Sequence, residues 1–365
     1  MIKLAEVTGN ALKSISESIG NETLWLIFES DTVKSICGSS IWQVEKEVIA
    51  DVETPRTVGL DSNFVKKMGA ATIPEAKYEI LCDEEKSELV IKQKNTRNTY
   101  KAPYNSTTPY FTFKPEPEKL WCVLPTEVMG LIIENSEASL ETQSPTQIAN
   151  YTWFFYNDEQ NFKCIVLNNY YLTSYEDKNI HPRYAKSFGI FSEHLVKLKK
   201  FLKNTSQIKL YEHSNDAFIL EGEQFKFLMA GTPDYPNQTI NLILNKGTSE
   251  ISSNVIVKNK KMLLNLLKLA ASTNRIKNSV FLTIENGKFY VRFDDSGLMF
   301  KDSVEANVWG EDSEIVVNSK YLYSILSPLP EPISIGFEPS KKWLIIKSNQ
   351  ENRVIISILA GIKPN

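Results

Sequence analysis

Apolar positions in this chain alternate between two spacings, every second residue as in a half-buried strand and every third or fourth as in an amphipathic helix, and the alternation recurs. Trp25, Trp153 and Phe281 lie 128 residues apart, each inside an apolar run: Leu24 to Phe28, Thr152 to Tyr156, and Val280 to Ile284. Each run ends in an acidic or amide turn (Glu29-Ser30-Asp31, Asn157-Asp158-Glu159, Glu285-Asn286-Gly287). A second strand-like run then begins near Val33, Phe162 and Phe289. Recurrence at a fixed period marks a tandem triplicate, and this period is long enough for each copy to be a domain rather than a solenoid turn.

Further along each copy, Ser62, Ser192 and Ser319 follow a β-rich triplet and precede apolar pairs at helical spacing: Val65 with Met68, Leu195 with Leu198, Leu322 with Ile325. A hydroxyl before a helix accepts from an unpaired backbone N–H, so the three serines are predicted to be N-caps. An earlier helix is predicted in each copy, over Val7 to Ile19, Thr126 to Leu140, and Asn259 to Thr273. Strand pairs follow the second helix at Tyr78 to Lys92, Ile208 to Gly222, and Ile333 to Lys347. Runs of strands punctuated by single helices give an α+β class with antiparallel sheets, six helices in three pairs.

Boundaries are placed where copies meet. Tyr104 to Pro117 is rich in Thr, Asn and Pro and reads as a connection, and Pro233 to Ser253 reads as turn clusters interrupting short apolar strands. The predicted domains are therefore residues 1–117, 118–247 and 248–365. A length of 365 residues suits two or three domains, and a composition 42% hydrophobic and 23% charged is that of an ordinary soluble protein. Without a signal-peptide core at Met1 to Glu6 or an apolar run long enough to span a bilayer, a cytoplasmic location is expected, with no membrane partner. Cys37, Cys82, Cys122 and Cys164 lie in apolar surroundings without Cys-x-x-Cys spacing, and read as buried free thiols.

The net charge of −3 changes the picture only when divided by element. Lysines and arginines collect on the helices and their flanks: Lys13, Lys66, Lys67, Lys197, Lys199, Lys200, Lys203, Lys258, Lys260, Lys261, Lys268, Arg275, Lys277 and Lys320. Fewer acids oppose them: Glu17, Glu127, Glu134, Glu137, Glu141 and Glu193. Helices sharing a face would make that face basic, suited to phosphates and blind to base sequence. Lysines are also ordinary residues of solvated helix surfaces and helix ends, so the pattern has a second, purely structural reading.

Catalytic chemistry finds little support. His181, His194 and His213 are isolated, and no pair stands at metal-ligand spacing. Gly-x-Ser-x-Gly, Walker A and Gly-x-Gly-x-x-Gly patterns are absent, and Asp83-Glu84-Glu85 and Asp294-Asp295 read as hairpin turns. No metal, cofactor or enzymatic activity is expected.

Three tandem units of paired helices on antiparallel sheets, in a chain of this length, resemble the bacterial β sliding clamp, the processivity subunit of the replicative DNA polymerase. Similarity is most direct in Ser279 to Phe289, which resembles the opening hairpin of that family's third domain, and in Glu314 to Leu322, with its Asn-x-x-Tyr-Leu pattern. Gly231-Thr232-Pro233-Asp234-Tyr235 is similar to the Pro-Asp-Tyr turn closing the second domain.

The resemblance implies three DNA-clamp domains forming half of a ring, closed head to tail as a homodimer around duplex DNA. A clamp loader and a replicative polymerase are the implied partners. It places DNA against Lys13, Lys66, Lys67, Lys197, Lys199, Lys200, Lys203, Lys261, Lys268, Arg275, Lys277 and Lys320. It also places a partner peptide in an apolar cleft at Leu167, Leu172, Pro233, Tyr235, Ile356, Ile358 and Leu359. Two features depart from the family. The Asp-Gly-His-Arg turn is replaced by Asn168-Asn169-Tyr170-Tyr171, and Pro236-Asn237 stands where basic residues would follow Pro-Asp-Tyr. Such drift suits a copy carried by a phage or mobile element. A triplicated β-rich interaction scaffold that does not encircle DNA, and an enzyme whose site forms between units, are the alternatives from the residues alone.

Overall fold

The computed structural model describes residues 1–16, 23–39, 41–106, 116–140, 147–156, 161–214, 216–233, 236–247, 251–273, 278–295, 298–338 and 342–362. Seven α-helices lie among them: α1 (Gly9–Ser16), α2 (Ser62–Ala71), α3 (Thr126–Leu140), α4 (Ser192–Lys197), α5 (Asn237–Gly247), α6 (Lys260–Thr273) and α7 (Ser319–Leu326). A 3-10 turn, Leu198–Asn204, continues α4. Contacts divide the chain into two compact units. The first is Met1–Thr126 with Lys200–Ala230, and the second is Glu127–Lys199 with Gly231–Asn365.

One element order is traversed three times: a strand, a helix, a run of strands, a second helix, then three strands. The leading strands, Ile2–Thr8, Leu120–Pro125 and Ser253–Val257, are not among the elements the spacing predicts. Neither is α5, which stands in place of the short strands expected between Pro233 and Ser253. Ile240, Ile243 and Leu244 recur at the three-and-four spacing of a helix, which is the signal that identifies it.

The first unit contains an eight-stranded antiparallel sheet. Its order is Arg56–Asp61, Thr23–Glu29, Thr32–Gly38, Trp42–Ile49, Phe225–Thr232, Ala217–Glu221, Gln207–Ser214 and Leu120–Pro125. Its middle seam pairs Trp42 with Met229 and Lys46 with Phe225. Trp42 stacks on Phe227 across that seam, ring centroids 5.9 Å apart, and Lys226 Nζ stands 3.7 Å from Glu45 Oε1.

The second unit repeats the arrangement in nine strands: Ser187–Phe191, Tyr151–Tyr156, Phe162–Leu167, Tyr171–Asp177, Arg353–Ala360, Trp343–Gln350, Ile333–Glu338, Ser253–Val257 and Ala306–Gly310. Here the seam pairs Tyr171 with Leu359 and Asp177 with Arg353. Thr173 and Ser357 share a hydrogen bond of 2.9 Å across it, and Arg353 Nε donates to Asp177 Oδ2 at 2.8 Å. Asp177 is 1% exposed and also accepts from the Tyr175 hydroxyl at 2.9 Å. A buried carboxylate is tolerable only with such partners.

Two smaller sheets complete the fold. One, in the first unit, runs Asp51–Val52, Ile2–Thr8, Lys77–Asp83, Glu88–Gln93, Thr99–Pro103. The other, in the second unit, runs Leu298–Val304, Lys288–Asp295, Ser279–Glu285, Ser313–Asn318. Trp25, Trp153 and Phe281 occupy equivalent strands. Opposite Trp153 stands Gly189, where a Cβ would lie 2.9 Å from the indole ring, so only glycine leaves room for the larger aromatic.

The serine caps are corrected by one residue. Asp61 caps α2, its carboxylate accepting from Phe64 N, and Asn318 caps α7, accepting from Lys320 N and Tyr321 N. Phe191 precedes α4 and makes no side-chain cap. Ser62, Ser192 and Ser319 are instead the first helical residues, all buried. Ser192 Oγ lies 3.0 Å from Thr152 Oγ1, which lies 2.7 Å from Ser136 Oγ, so one strand hydroxyl ties α3 and α4 to the sheet. All four cysteines are free and buried, and burial pushes the Cys122 thiol up to about 12.

Candidate nucleic-acid and partner surfaces

The helical lysines divide by local partner. In the first unit Lys13 on α1, Lys67 on α2, and Lys200 and Lys203 on the 3-10 turn are exposed, while Lys66 is half-buried. In the second unit Lys199, Lys261, Lys268 and Lys320 are exposed and Lys197 is half-buried. Arg275 and Lys277 lie outside the described residues. The inward stripes beneath these charges are apolar: Val65 and Met68 on α2, Leu263, Leu266, Leu267 and Ala270 on α6, Leu322 and Ile325 on α7. Burying one such leucine stabilises a helix on its sheet by about 1.5–3 kcal/mol, and leaves the polar face to water.

Two lysines are committed elsewhere. Lys199 Nζ pairs with Glu137 of α3 at 2.5 Å, so the acidic helix of the middle copy answers part of its basic neighbour. Lys260 Nζ donates to the carbonyls of Ser327 and Leu329 at 2.9 and 2.5 Å, closing the end of α7, and burial holds its pKa below the usual lysine range. The buried Lys46 went unnoticed in sequence because it sits in a strand, within Val44-Glu45-Lys46-Glu47.

Most of the apolar cleft residues come together on one sheet face. Leu167 pairs with Leu172 and Leu172 with Ile358, and strand alternation puts Ile356 on the same side. Leu359, expected with them, belongs instead to the opposite face, beside Tyr171. Burial also separates the members: Leu167, Leu172 and Ile358 are buried, Ile356 is half-buried and Pro233 is exposed, while Tyr235 lies outside the described residues.

Over this face packs α5. Trp153, Ile165, Leu167, Leu172 and Ile240 form one buried cluster, with Ile243 and Leu244 packed against it. Leu242, on the other side of α5, is 54% exposed. The turn at 168–171 points elsewhere: Asn168 Oδ1 accepts from the backbone N–H groups of Tyr170 and Tyr171, and Tyr170 stacks on Tyr321 of α7, ring centroids 5.2 Å apart. Tyr171 also approaches Tyr321, ring centroids 6.1 Å apart, so the turn is held against α7 by aromatic contact.

No family model matches the sequence, and no curated protein does. Solved structures match throughout. A putative DNA polymerase III beta subunit from Eubacterium rectale is 13% identical with a TM-score of 0.83, over 99% of this chain and 100% of that one. The DNA polymerase sliding clamp of Bacillus subtilis is 14% identical with a TM-score of 0.83 over the full length of both chains. The beta subunit from the DNA polymerase of Streptococcus pyogenes is 14% identical with a TM-score of 0.82, over 99% of this chain and 100% of that one.

The chain has the bacterial sliding-clamp fold. At such low identity the agreement resides in element order and sheet pairing, so the clamp fold persists here on a largely different set of side chains. No helix among the described residues is long and apolar enough to cross a membrane.

Proposed function

We propose that this chain is a DNA sliding clamp: a non-enzymatic ring, closed by two copies, that encircles duplex DNA in the cytoplasm and tethers a replicative polymerase. One observation supports this most. Each long sheet joins four strands of one copy of the repeat to strands of the next, through Trp42–Ile49 with Phe225–Thr232 and through Tyr171–Asp177 with Arg353–Ala360. The equivalent strands left over are Leu298–Val304 of the third copy and Thr99–Pro103 of the first, each the last strand of its sheet among the described residues. The repeat therefore supplies two finished joints and two complementary half-joints.

A second chain placed head to tail would pair Leu298–Val304 of one copy with Thr99–Pro103 of the other, and do so twice. This reading keeps three clamp domains at residues 1–117, 118–247 and 248–365. It assigns the exposed lysines Lys13, Lys67, Lys200, Lys203, Lys261, Lys268 and Lys320, with Lys66, Lys197, Arg275 and Lys277, to sequence-independent phosphate contact. Lys199 takes a lesser part because Glu137 already holds it.

For the polymerase or clamp loader, the reading places a short apolar peptide beside α5, at Pro233, Leu242, Tyr235 and Ile356. Leu167, Leu172 and Ile358 are buried behind this surface and support it without touching the peptide. The deciding experiment is retention on DNA after loading onto a nicked circle. A clamp stays on the circle and escapes when the circle is linearised; equal release from circular and linear DNA overturns the reading.

A further inference from the structure

A strand at the end of a sheet presents unpaired N–H and C=O groups along one side, and this chain closes most of its sheet ends from within. Arg56–Asp61 is bridged by Asn105: Gly59 N donates to Asn105 O at 2.8 Å and Asn105 N to Gly59 O at 3.0 Å. Ser187–Phe191 meets Thr232 and Gly231 through Gly189 and Ile190. Ser313–Asn318 takes the Ile362 N–H on Val316 O at 2.8 Å. Leu298–Val304 and Thr99–Pro103 are the joints of the proposed ring. Asp51–Val52 is two residues long, and four of the six residues of Leu120–Pro125 are buried.

Ala306–Gly310 has no such closure. It ends the long sheet of the second unit, pairs on one side with Ser253–Val257, and has no strand on the other side among the described residues. Asp51–Val52 holds the equivalent place in the first copy, outside that copy's leading strand, but Ala306–Gly310 is five residues long and carries no charge. Lys258 N donates to Glu305 O at 2.9 Å, which sets the phase of the ladder. Bonded and non-bonded pairs alternate in antiparallel sheets. Asn307 and Trp309 therefore turn their backbone groups into the sheet, while Ala306, Val308 and Gly310 present theirs to the open side.

Trp309 gives this edge an anchor. It is 50% exposed and borders a hollow of about 290 Å³ lined also by Ile251, Asn254, Ser334 and Lys347, so the chain itself leaves the indole incompletely packed. In an added strand the residue opposite Trp309 would form a non-bonded pair, the kind whose side chains stand closest, and a β-branched or aromatic partner suits it. Glu305, Glu311 and Asp312 flank the strand, all exposed. A second copy is a poor occupant, because antiparallel pairing of two such edges about Val308 sets Glu305 of each against Glu311 of the other. A segment with basic residues on either side of an uncharged centre meets those acids favourably. We propose that Ala306–Gly310 is a docking edge on which an extended segment of a partner protein, β-branched at its centre and basic at its ends, adds as a further strand. Ring closure uses other strands, so this docking does not depend on it.

The test is fluorescence anisotropy of a labelled peptide, Lys-Lys-Val-Thr-Val-Thr-Val-Lys-Lys, titrated with the full chain. It is expected to bind one site per chain, more tightly than the same core flanked by glutamates. Methylating the core amide nitrogens removes the donors, keeps the side chains, and should weaken binding about ten-fold or more. Val308→Pro removes an outward N–H at a position where an edge strand tolerates proline, and should also weaken binding about ten-fold or more. Trp309→Ala should weaken it about three-fold, and decides where the proline variant does not fold. Met299→Lys, on another strand, should leave it unchanged.

Equal binding of the lysine-flanked and glutamate-flanked peptides, or of the methylated peptide, overturns the docking edge. So does unaltered binding by the folded variants at Val308 and Trp309. Self-association of the chain that is lost in Val308→Pro and kept in Met299→Lys would give the edge to a second copy and overturn the partner segment. Failure of retention on circular DNA with peptide binding intact would remove the ring and leave this edge standing.

Discussion

Asp177 shows how much one side chain can hold at a seam. With its carboxylate buried and taken by Arg353 and Tyr175, Asp177→Ala is expected to cost about 3 kcal/mol in urea unfolding, because the Arg353 Nε and the Tyr175 hydroxyl lose their shared acceptor while Glu127 keeps hold of the rest of the guanidinium. His194 makes a pH signature. Burial first, then the nearby Lys197, hold its imidazole down to about 4 from 6.5. The folded state therefore binds fewer protons than the unfolded one between those values, so stability is full above pH 6.5 and falls as pH drops toward 4. His194→Gln should remove roughly 2–3 kcal/mol of that decline, read as the difference between variant and parent in unfolding at pH 7 and pH 4.5. At this scale the sequence was nearly sufficient, and failed where two neighbours could serve. Asp61-Ser62 and Asn318-Ser319 each offer two capping side chains, and the buried seat beside the sheet takes the smaller one.

Among the elements, α3 was legible to the residue, and the hairpins after each second helix fell where strand periodicity put them. Less legible were the leading strands and α5: Pro236 ahead of α5, Asn237 at its start and Lys246-Gly247 at its end read as turns, although such residues also start and stop a helix. Its packing makes two substitutions informative. Ile240→Ala, at a fully buried position, should cost about 2–4 kcal/mol by chemical denaturation. Leu242→Glu, on the exposed side, should shift stability by less than about 0.5 kcal/mol while weakening capture of a polymerase or loader peptide in a pull-down. Unchanged capture would move the partner surface away from α5. A charge at Ile358, by contrast, would report only on folding, since that residue is completely buried.

For the whole molecule, the triplicate was readable because aromatic anchors recur at one interval, whereas the seams were not, since strand pairing between copies leaves no mark on spacing. The basic character of the helices was readable as composition, but the gathering of Lys46 with Lys13, Lys66, Lys200 and Lys203 depends on tertiary placement. Met299, 69% exposed on the terminal strand Leu298–Val304, is the place to test closure. Met299→Lys adds charge to a strand edge and should weaken dimerisation about ten-fold or more in sedimentation, with the unfolding midpoint of the monomer unchanged. Seams within one chain and seams between chains then differ in a way that ordinary binding constants miss. The two internal seams are held at an effective concentration that dilution does not alter, whereas in the proposed ring the two outer ones would sense the amount of protein present. Dilution would therefore open the assembly at those two places alone, and a cell could set the lifetime of unloaded rings simply by how much of this chain it makes.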